Sequence, residues 1–161
     1  MRTTVLATAL VAILAGCQPA PAPADTAASS QVQSQADIAF SALAAKTLKQ
    51  WMALSPVAAT QIGEHSYDNR IDDVSADGMA ASAAQTQALL DELNAIDAAT
   101  LGRDNQVDAA ILRNQLEADL FRINTLADWQ WDPQFYSGLA GSALYGLMVR
   151  EFAPLPDRLR S

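Results

Sequence analysis

The most reactive side chains of the sequence lie in one short polar segment, where Glu64 and His65 are followed by Tyr67 and Asp68. His65 is the only histidine, and an imidazole is the side chain best suited to exchanging protons near neutral pH. One interpretation is a loop that lines a substrate cleft, with His65 as its proton carrier. The alternative, which we favour, is a structural loop. In that case Tyr67 packs on a helical body and Asp68 accepts hydrogen bonds from nearby backbone amides.

Two arginines near the C-terminus form a second candidate. Arg150 and Arg158 could bind a substrate carboxylate, because the planar guanidinium matches a carboxylate with two parallel hydrogen bonds. They could equally cap helix carbonyls or pair with Glu151. We therefore include Arg150 among the possible cleft-lining residues, together with His65, Tyr67 and Asp68.

Four aromatic residues surround the dipeptide Asp132-Pro133, which favours a turn. They could form a surface on which a ligand stacks, although aromatic side chains beside a proline turn more often close the end of a helical core. These residues are Trp129, Trp131, Phe135 and Tyr136.

Metal ligands are scarce in this sequence. A chain with one cysteine, Cys17, and one histidine, His65, cannot build a zinc site that needs two histidines or several thiolates. The acidic residues Asp108, Glu117 and Asp119 could be interpreted as paired carboxylates, but a solvated face is favoured for all three. No loop has the alternating acidic spacing that calcium requires. Glu117 and Asp119 are two apart, so they do not face each other on a helix and are expected on a solvated face. We predict no catalytic residue, metal ligand or cofactor within this chain.

Charge and composition exclude other classes of protein. The net charge is −8 and the pI is about 4.4, which argues against nucleic acid as a partner, since a basic surface is needed to neutralise phosphates. The same charge argues against docking on anionic lipid through basic residues. The single cysteine also excludes a disulfide within the chain.

The N-terminal residues have the parts of an export signal. Arg2 precedes an apolar run from Val5 to Leu14, which is too short to span a bilayer because spanning takes about 20 residues. Leu14-Ala15-Gly16-Cys17 then resembles the lipobox of bacterial lipoproteins. The resemblance implies that residues 1–16 are removed and that Cys17 is acylated, and two or three acyl chains anchor a protein stably to a membrane. Gln18 after the cysteine is similar to the pattern that is sorted to the outer membrane, facing the periplasm.

Residues 17–36 favour a tether between this anchor and a folded body. Alternating proline and alanine are followed by Asp, Thr, Ser and Gln, with no periodic apolar face that could be buried. The proline-rich half favours an extended conformation.

From Asp37 the apolar pattern becomes helical. A first helix should end at Ser55-Pro56, because proline disfavours helix in the preceding residue. Pro56 can then open a short helix over 57–62, which Gly63 ends. The face of the first helix repeats at steps of three and four residues: Phe40, Leu43, Thr47, Trp51 and Leu54.

Two further long helices are predicted, one capped by Ser75 and one capped by Asp104. The face of the first comprises Met79, Ala83, Thr86, Leu90, Leu93 and Ile96, and that of the second Leu112, Leu116, Leu120 and Ile123. Helical spacing resumes at Gly138, and Pro156-Asp157 favours the first turn of another helix. The fold class is therefore all-α. Residues 37–161 are expected to be the helical N-terminal part of a longer domain, because the sequence stops within that last helix.

Several segments together resemble a bacterial family known as domain of unknown function eight-eight-five, many of whose members are lipoproteins. The similarity is carried by Leu54 to Thr60, Ile62 to Asp68, Arg70 to Asp73, Asp104 to Asp108 with Leu112, and Tyr145 to Leu155 with Arg158. The order and spacing of these segments are more specific than any one of them.

The resemblance implies an all-helical protein of several hundred residues, similar to carboxypeptidase-type zinc metallopeptidases. In such proteins a His-Glu motif far downstream supplies metal ligands and a general base, so zinc and a peptide substrate are implied for a full-length protein. Glu64-His65 is not followed by a second histidine, so no catalytic residue is carried over to this chain. The alternative function is a helical envelope lipoprotein that is not an enzyme and binds a partner or a ligand.

Overall fold

The computed structural model describes residues 34–161, and the regular secondary structure of this range is entirely helical. The prediction of an all-α fold is therefore confirmed. The predicted signal peptide, the acylation site Cys17 and most of the predicted tether lie outside the described residues and stay predictions. Within the described range no helix is both long and apolar enough to cross a membrane.

The described range contains seven α-helices and three other helical segments. The α-helices are α1 (Gln35–Leu54), α2 (Pro56–Ile62), α3 (Ala76–Asn94), α4 (Arg103–Phe121), α5 (Asp128–Trp131), α6 (Pro133–Val149) and α7 (Leu155–Arg158). Two 3-10 turns, His65–Tyr67 and Ala98–Thr100, and one π-helical segment, Arg122–Leu126, connect them.

Helix α1 begins at Gln35, two residues before the expected Asp37, so the end of the predicted tether is helical. Ser34 caps it: the Ser34 hydroxyl accepts a hydrogen bond from the backbone N–H of Asp37 at 3.0 Å, and the Asp37 carboxylate accepts one from the backbone N–H of Ser34 at 3.2 Å. This reciprocal capping box is a strong start signal. The polar composition of the preceding residues conceals this signal in the sequence.

The predicted break between α1 and α2 is confirmed, with Pro56 in the first turn of α2. Gly63 ends α2 with a φ of 98°, a left-handed conformation that glycine adopts without strain. Ser75 caps α3 as expected, because its hydroxyl accepts a hydrogen bond from the backbone N–H of Gly78 at 3.1 Å.

Two predicted helix starts were wrong. Gly102, and not Asp104, is the N-cap of α4, and Asp104 lies in its first turn. Helix α6 begins at Pro133 rather than Gly138, because the Asp132 side chain caps it by accepting a hydrogen bond from the backbone N–H of Gln134. A proline in the first turn fits a helix start, since its missing N–H has no intrahelical partner there.

The core lies between α1, α3 and α4. Its buried side chains come from the predicted faces, with the addition of Leu89, Leu101 and Ala109, and they are Phe40, Leu43, Leu89, Leu90, Leu93, Leu101, Ala109 and Leu116. Leu93 is almost fully buried, whereas Met79 and Ala83 on the predicted face of α3 are only half-buried. Burying these side chains supplies the main driving force for folding.

Asp37 joins the N-terminal ends of α1 and α4. One carboxylate oxygen accepts hydrogen bonds from the Asn105 side chain at 2.7 Å and from the backbone N–H of Gly102 at 2.9 Å. The other accepts from the Ser34 hydroxyl at 2.8 Å. These bonds, that of Asn105 above all, lower the pKa of Asp37 to about 2.

We predict that Asp37→Asn destabilises the fold at neutral pH and removes part of its sensitivity to acid. The pKa is about 2 in the folded chain against an ordinary value of 3.8, so the carboxylate favours folding fully above pH 3.8. This contribution is lost as the pH falls through the folded value. The unfolding temperatures of the two proteins, followed by circular dichroism, should therefore converge as the pH approaches about 2.

Asp104→Asn is the matched control, because Asp104 is an exposed carboxylate in the first turn of α4. It should leave the acid dependence close to that of the unchanged protein. A constant difference between Asp37→Asn and the unchanged protein across this pH range would contradict the role of the Asp37 charge.

Candidate functional site

The imidazole of His65 is held between a carboxylate and an aromatic ring. Its Nδ1 lies 3.1 Å and 3.2 Å from the two carboxylate oxygens of Asp68. The ring stacks on Phe152, with 3.6 Å between ring centroids and 19° between ring planes. His65 therefore connects the 3-10 turn after α2 to the segment that follows α6.

Asp68 also accepts a hydrogen bond from the hydroxyl of buried Thr60 in α2, at 2.7 Å. The observed partners of Asp68 are thus two side chains, whereas the interpretation of this segment as a structural loop predicted backbone amides. Tyr67 is half-buried on the same turn, and the guanidinium of Arg70 lies 5.7 Å from the centre of its ring. Arg70 also donates to the carbonyl of Ala53, so the turn is tied to the end of α1.

Arg158 is 6% exposed and donates to the last carbonyls of α6. Its Nη1 lies 2.6 Å from the carbonyl oxygen of Leu147 and 3.0 Å from that of Met148, and its Nε donates to Ala153 at 2.7 Å. Its guanidinium also lies 5.7 Å from the ring centre of Phe152. In its observed contacts this arginine caps a helix, the second of the two alternatives that the sequence left open.

Arg150 is exposed and donates to the carbonyl of Gln61 in the last turn of α2. It therefore also interacts with helix carbonyls, which carry the partial negative charge of a helix C-terminus. Its role as a cleft-lining residue stays a prediction, as do those of His65, Tyr67 and Asp68.

We call the group formed by Thr60, His65, Asp68, Phe152 and Arg158 the α2 joint. An imidazole beside a carboxylate can take up and release a proton. Nucleophilic catalysis would need a hydroxyl directed at the imidazole, but the Thr60 hydroxyl donates to Asp68 instead. The observed arrangement connects helices and contains no nucleophile–base pair.

Two neighbouring aspartates fix the helices on either side of the joint. Asp72 accepts a hydrogen bond from the backbone N–H of Val57 at 3.0 Å and so caps α2; burial raises the pKa of Asp72, and this bond opposes the rise. Asp73 accepts hydrogen bonds from the hydroxyl and the backbone N–H of Ser75, and these two bonds lower the pKa of Asp73. A Cβ at Gly78 would lie 2.5 Å from the Asp73 carbonyl oxygen, so α3 begins against Asp73 only because residue 78 is glycine.

A groove of about 680 Å³, which we call the α1–α4 groove, opens between α1, α3 and α4. None of the four predicted cleft-lining residues borders it. Its lining is mainly apolar, and it comprises Phe40, Ala44, Thr47, Leu48, Trp51, Leu54, Ser55, Ser82, Thr86, Leu89, Asp108, Ile111, Leu112, Gln115, Leu116, Asp119, Arg122 and Ile123.

The acidic residues Asp108, Glu117 and Asp119 of α4 differ in their exposure and in whether they line this groove. Asp108 and Glu117 are exposed, as predicted. Asp119 is half-buried and pairs with Arg122 at 2.9 Å. Asp108, Asp119 and Arg122 all line the groove, whereas Glu117 does not.

The aromatic residues near Asp132 hold the π-helical segment that borders one end of the groove. The indole N–H of Trp129 donates to the carbonyl of Ile123 at 3.1 Å, and that of Trp131 donates to Leu126 at 3.0 Å. The segment ends at Ala127, whose φ of 46° is uncommon for a residue with a Cβ. Phe135 and Tyr136, in the first turn of α6, pack edge to face with ring centroids 5.3 Å apart.

The side chains of residues 34–161 do not fit a zinc site. In this part of the chain no group of three or more His, Cys, Asp or Glu side chains lies close enough together to hold a metal ion. The α2 joint offers two such donors, His65 and Asp68, whereas catalytic zinc normally takes three protein ligands. We therefore derive no chemical step through a metal from these residues.

Sequence reasoning missed Asp37, the capping role of Asp72 and the groove itself. Ser34 followed three residues later by Asp37 carries the spacing of a capping box and could have placed Asp37 at a helix start. The groove had no such signal, because its apolar side chains have the same spacing as those of a closed core.

Residues 56–161, more than half of the chain, match a family described as bacterial protein of unknown function (DUF885). No curated protein and no solved structure matches the chain.

We predict that the chain of 161 residues binds no stoichiometric zinc and hydrolyses no peptide, because the α2 joint provides too few ligands. Zinc content by mass spectrometry of the purified protein and cleavage of a mixed peptide library test this prediction. His65→Ala is the diagnostic variant. Tight binding of one zinc ion per chain that is lost in His65→Ala would contradict the prediction and make the α2 joint a metal site.

Proposed function

Because the chain belongs to the DUF885 family of bacterial proteins of unknown function, we propose that it is part of an exported, lipid-anchored protein that acts on peptides in the cell envelope. The proposed activity is similar to that of carboxypeptidase-type zinc metallopeptidases. Residues 34–161 would then contribute helical support and a surface that faces the substrate, and the metal ligands and the general base would come from other residues.

The anchor is supported by the first 36 residues. An apolar run that is too short to span a bilayer is followed by Leu14-Ala15-Gly16-Cys17, and small residues before a cysteine are what lipoprotein processing requires. Acylation of Cys17 would attach the protein to a membrane. If Gln18 acts as the sorting residue, this would be the outer membrane, with the protein facing the periplasm. Residues 18–33 would hold the helical body away from the lipid surface.

The α2 joint is the single observation on which the supporting role of these helices rests. The two segments that meet there, 60–68 and 145–158, are distant in the sequence, and both carry the resemblance to the family. Arg150 and Arg158 bind helix carbonyls, and Asp68 binds the hydroxyl of Thr60 and the imidazole of His65. Residues used in this way keep helices in place, so they favour a scaffold adjacent to a reaction centre over the centre itself.

A second candidate function is that of a helical envelope lipoprotein that is not an enzyme and binds a partner or a ligand. The α1–α4 groove favours it, because its volume of about 680 Å³ and its mainly apolar lining are typical of binding sites. The DNA that follows the codon for Ser161 discriminates between the two candidates. An open reading frame that encodes a His-Glu motif supports the peptidase, and a stop codon supports the second candidate.

We predict that the protein incorporates labelled fatty acid and sediments with membranes when it is expressed in a Gram-negative host. Cys17→Ser should abolish both properties, because no other residue can take the diacylglyceryl group. Ser29→Ala is a control that leaves the lipobox and the described helices unchanged. Unlabelled protein that is free in the periplasm would contradict lipid anchoring without bearing on the fold.

A further inference from the structure

Helix α6 has the composition of a helix from a protein interior. From Pro133 to Val149 its 17 residues include no Asp, Glu, Lys, Arg or His. In the described range, every other helix of eight or more residues carries charges. A helix that is uncharged on all sides is typical of the core of a large protein. Among residues 34–161, however, only Gly146 of α6 is buried, so the described residues cover only part of this helix.

One side of α6 has no cover within the described residues. Gly138, Gly141, Tyr145 and Met148 follow one another at steps of three and four, which places them on one face. Tyr145 and Met148 are 67% and 58% exposed. Gly146 lies on another side of the helix, where a Cβ would contact α2. We call the face formed by Gly138, Gly141, Tyr145 and Met148 the glycine face of α6.

The two glycines of this face have no explanation among the described residues. Both lie inside a helix and neither has a positive φ, although glycine is less favourable in a helix interior than any residue except proline. No atom of residues 34–161 outside α6 lies within 4 Å of a Cβ placed at either position. Glycine suits positions where another backbone approaches closely. The glycine face therefore has the form of a helix contact whose second member lies outside the described residues.

We propose that the first helix of the polypeptide that follows Ser161 packs against the glycine face of α6, with its backbone closest at Gly138 and Gly141. This inference rests on the proposal that the chain is part of a longer protein. The distance between packed helices depends on the side chains at their contact, so two glycines allow a close approach. Tyr145 and Met148 would then be buried against apolar side chains of the second helix, which stabilises the contact.

The chain after α6 returns to the end of this helix. The guanidinium of Arg158 donates to the carbonyls of Leu147 and Met148, so residue 158 lies at the C-terminal end of α6. A helix that begins near this point after a short connection runs antiparallel to α6, from Met148 towards Gly138. The glycine face is about 15 Å long, so a helix of about three turns covers it.

Other occupants suit this face less well. Residues 17–33 have no periodic apolar face with which to pack against a helix. A helix that lies on a lipid surface normally carries basic side chains, and α6 has none. A second copy or a separate protein would have to be ordered against α6 at an entropic cost that a covalently continuous helix does not incur.

The test compares Gly138→Ala and Gly141→Ala in two proteins that both carry Cys17→Ser: the chain of 161 residues and the complete product of the reading frame. In the chain of 161 residues each alanine should raise the unfolding temperature by about 3 °C, because alanine favours helix and its methyl group meets no atom of residues 34–161 outside α6. In the complete product each alanine should lower it, because the methyl group overpacks the contact with the second helix. Circular dichroism measures this reversal of sign.

Gly146→Ala is the matched control. Its Cβ would lie 3.9 Å from Thr60 and 4.0 Å from Gln61, which are ordinary contacts with α2 in either protein. It should therefore change the unfolding temperature equally in the two proteins. A rise with Gly138→Ala and Gly141→Ala in both proteins would overturn the proposal, as would a stop codon directly after the codon for Ser161.

A crosslink identifies the occupant. With p-benzoylphenylalanine in place of Tyr145, the complete product should crosslink under ultraviolet light to a residue after Ser161 of its own chain. A crosslink to residues 17–33, to a second copy or to another protein, or no crosslink, would overturn the proposal. Zinc content and peptide cleavage of the same product test the proposed function separately. An inactive product that shows the reversal retains the helix contact, and an active product without the reversal refutes the contact alone.

Discussion

The carboxylate of Asp37 accepts hydrogen bonds from Ser34, Gly102 and Asn105, and through them it joins the N-terminal ends of α1 and α4. These are charge-assisted bonds, which are stronger than bonds between neutral groups. Because α4 has no side-chain cap of its own at Gly102, Asp37 supplies the missing acceptor from another helix. The width of the α1–α4 groove depends on how α1 and α4 lie relative to each other, so this one carboxylate positions the walls of the groove. The apolar core below it supplies most of the stability, and the directional hydrogen bonds of Asp37 add a specific alignment of the two helix ends.

The α2 joint likewise holds helices in place, because it connects α2 to the segment that follows α6. Helix α2 has only seven residues, too few to be stable alone, and its ends and one side are held by side chains from elsewhere. Asp72 caps its start, Arg150 caps its end, and Asp68 binds Thr60 in its last turn. Stacking of His65 on Phe152 then connects this group to the segment after α6. The most reactive side chains of the sequence are thus occupied in joining helices, which explains how a segment rich in such residues can lack a nucleophile–base pair.

Much of the helical organisation could be predicted from the sequence, since it depends on local signals. Pro56, Gly63 and Ser75 each fix a helix end through their own backbone or side-chain chemistry, and each prediction was confirmed. The predicted start of α4 was wrong because the side chain that accepts from the backbone N–H of Gly102 belongs to Asp37, 65 positions earlier in the sequence. The predicted start of α6 was wrong because Asp132-Pro133 is typical of a turn, whereas here Asp132 is the helix cap and Pro133 the first helical residue. The partners of Asp68 and Arg158 could not be predicted, because which of several possible acceptors or donors is close depends on how distant helices pack.

The claim that one ionised carboxylate positions α1 and α4 is tested most directly by the titration of Asp37 itself. The carboxyl carbon can be followed by nuclear magnetic resonance in protein labelled with carbon-13 at aspartate, with its signal assigned by its absence in Asp37→Asn. The hydrogen bonds from Asn105, Gly102 and Ser34 predict a pKa of about 2 in the folded chain. A pKa close to the ordinary value of 3.8 would contradict the account, because it would mean that these donors do not favour the charged form.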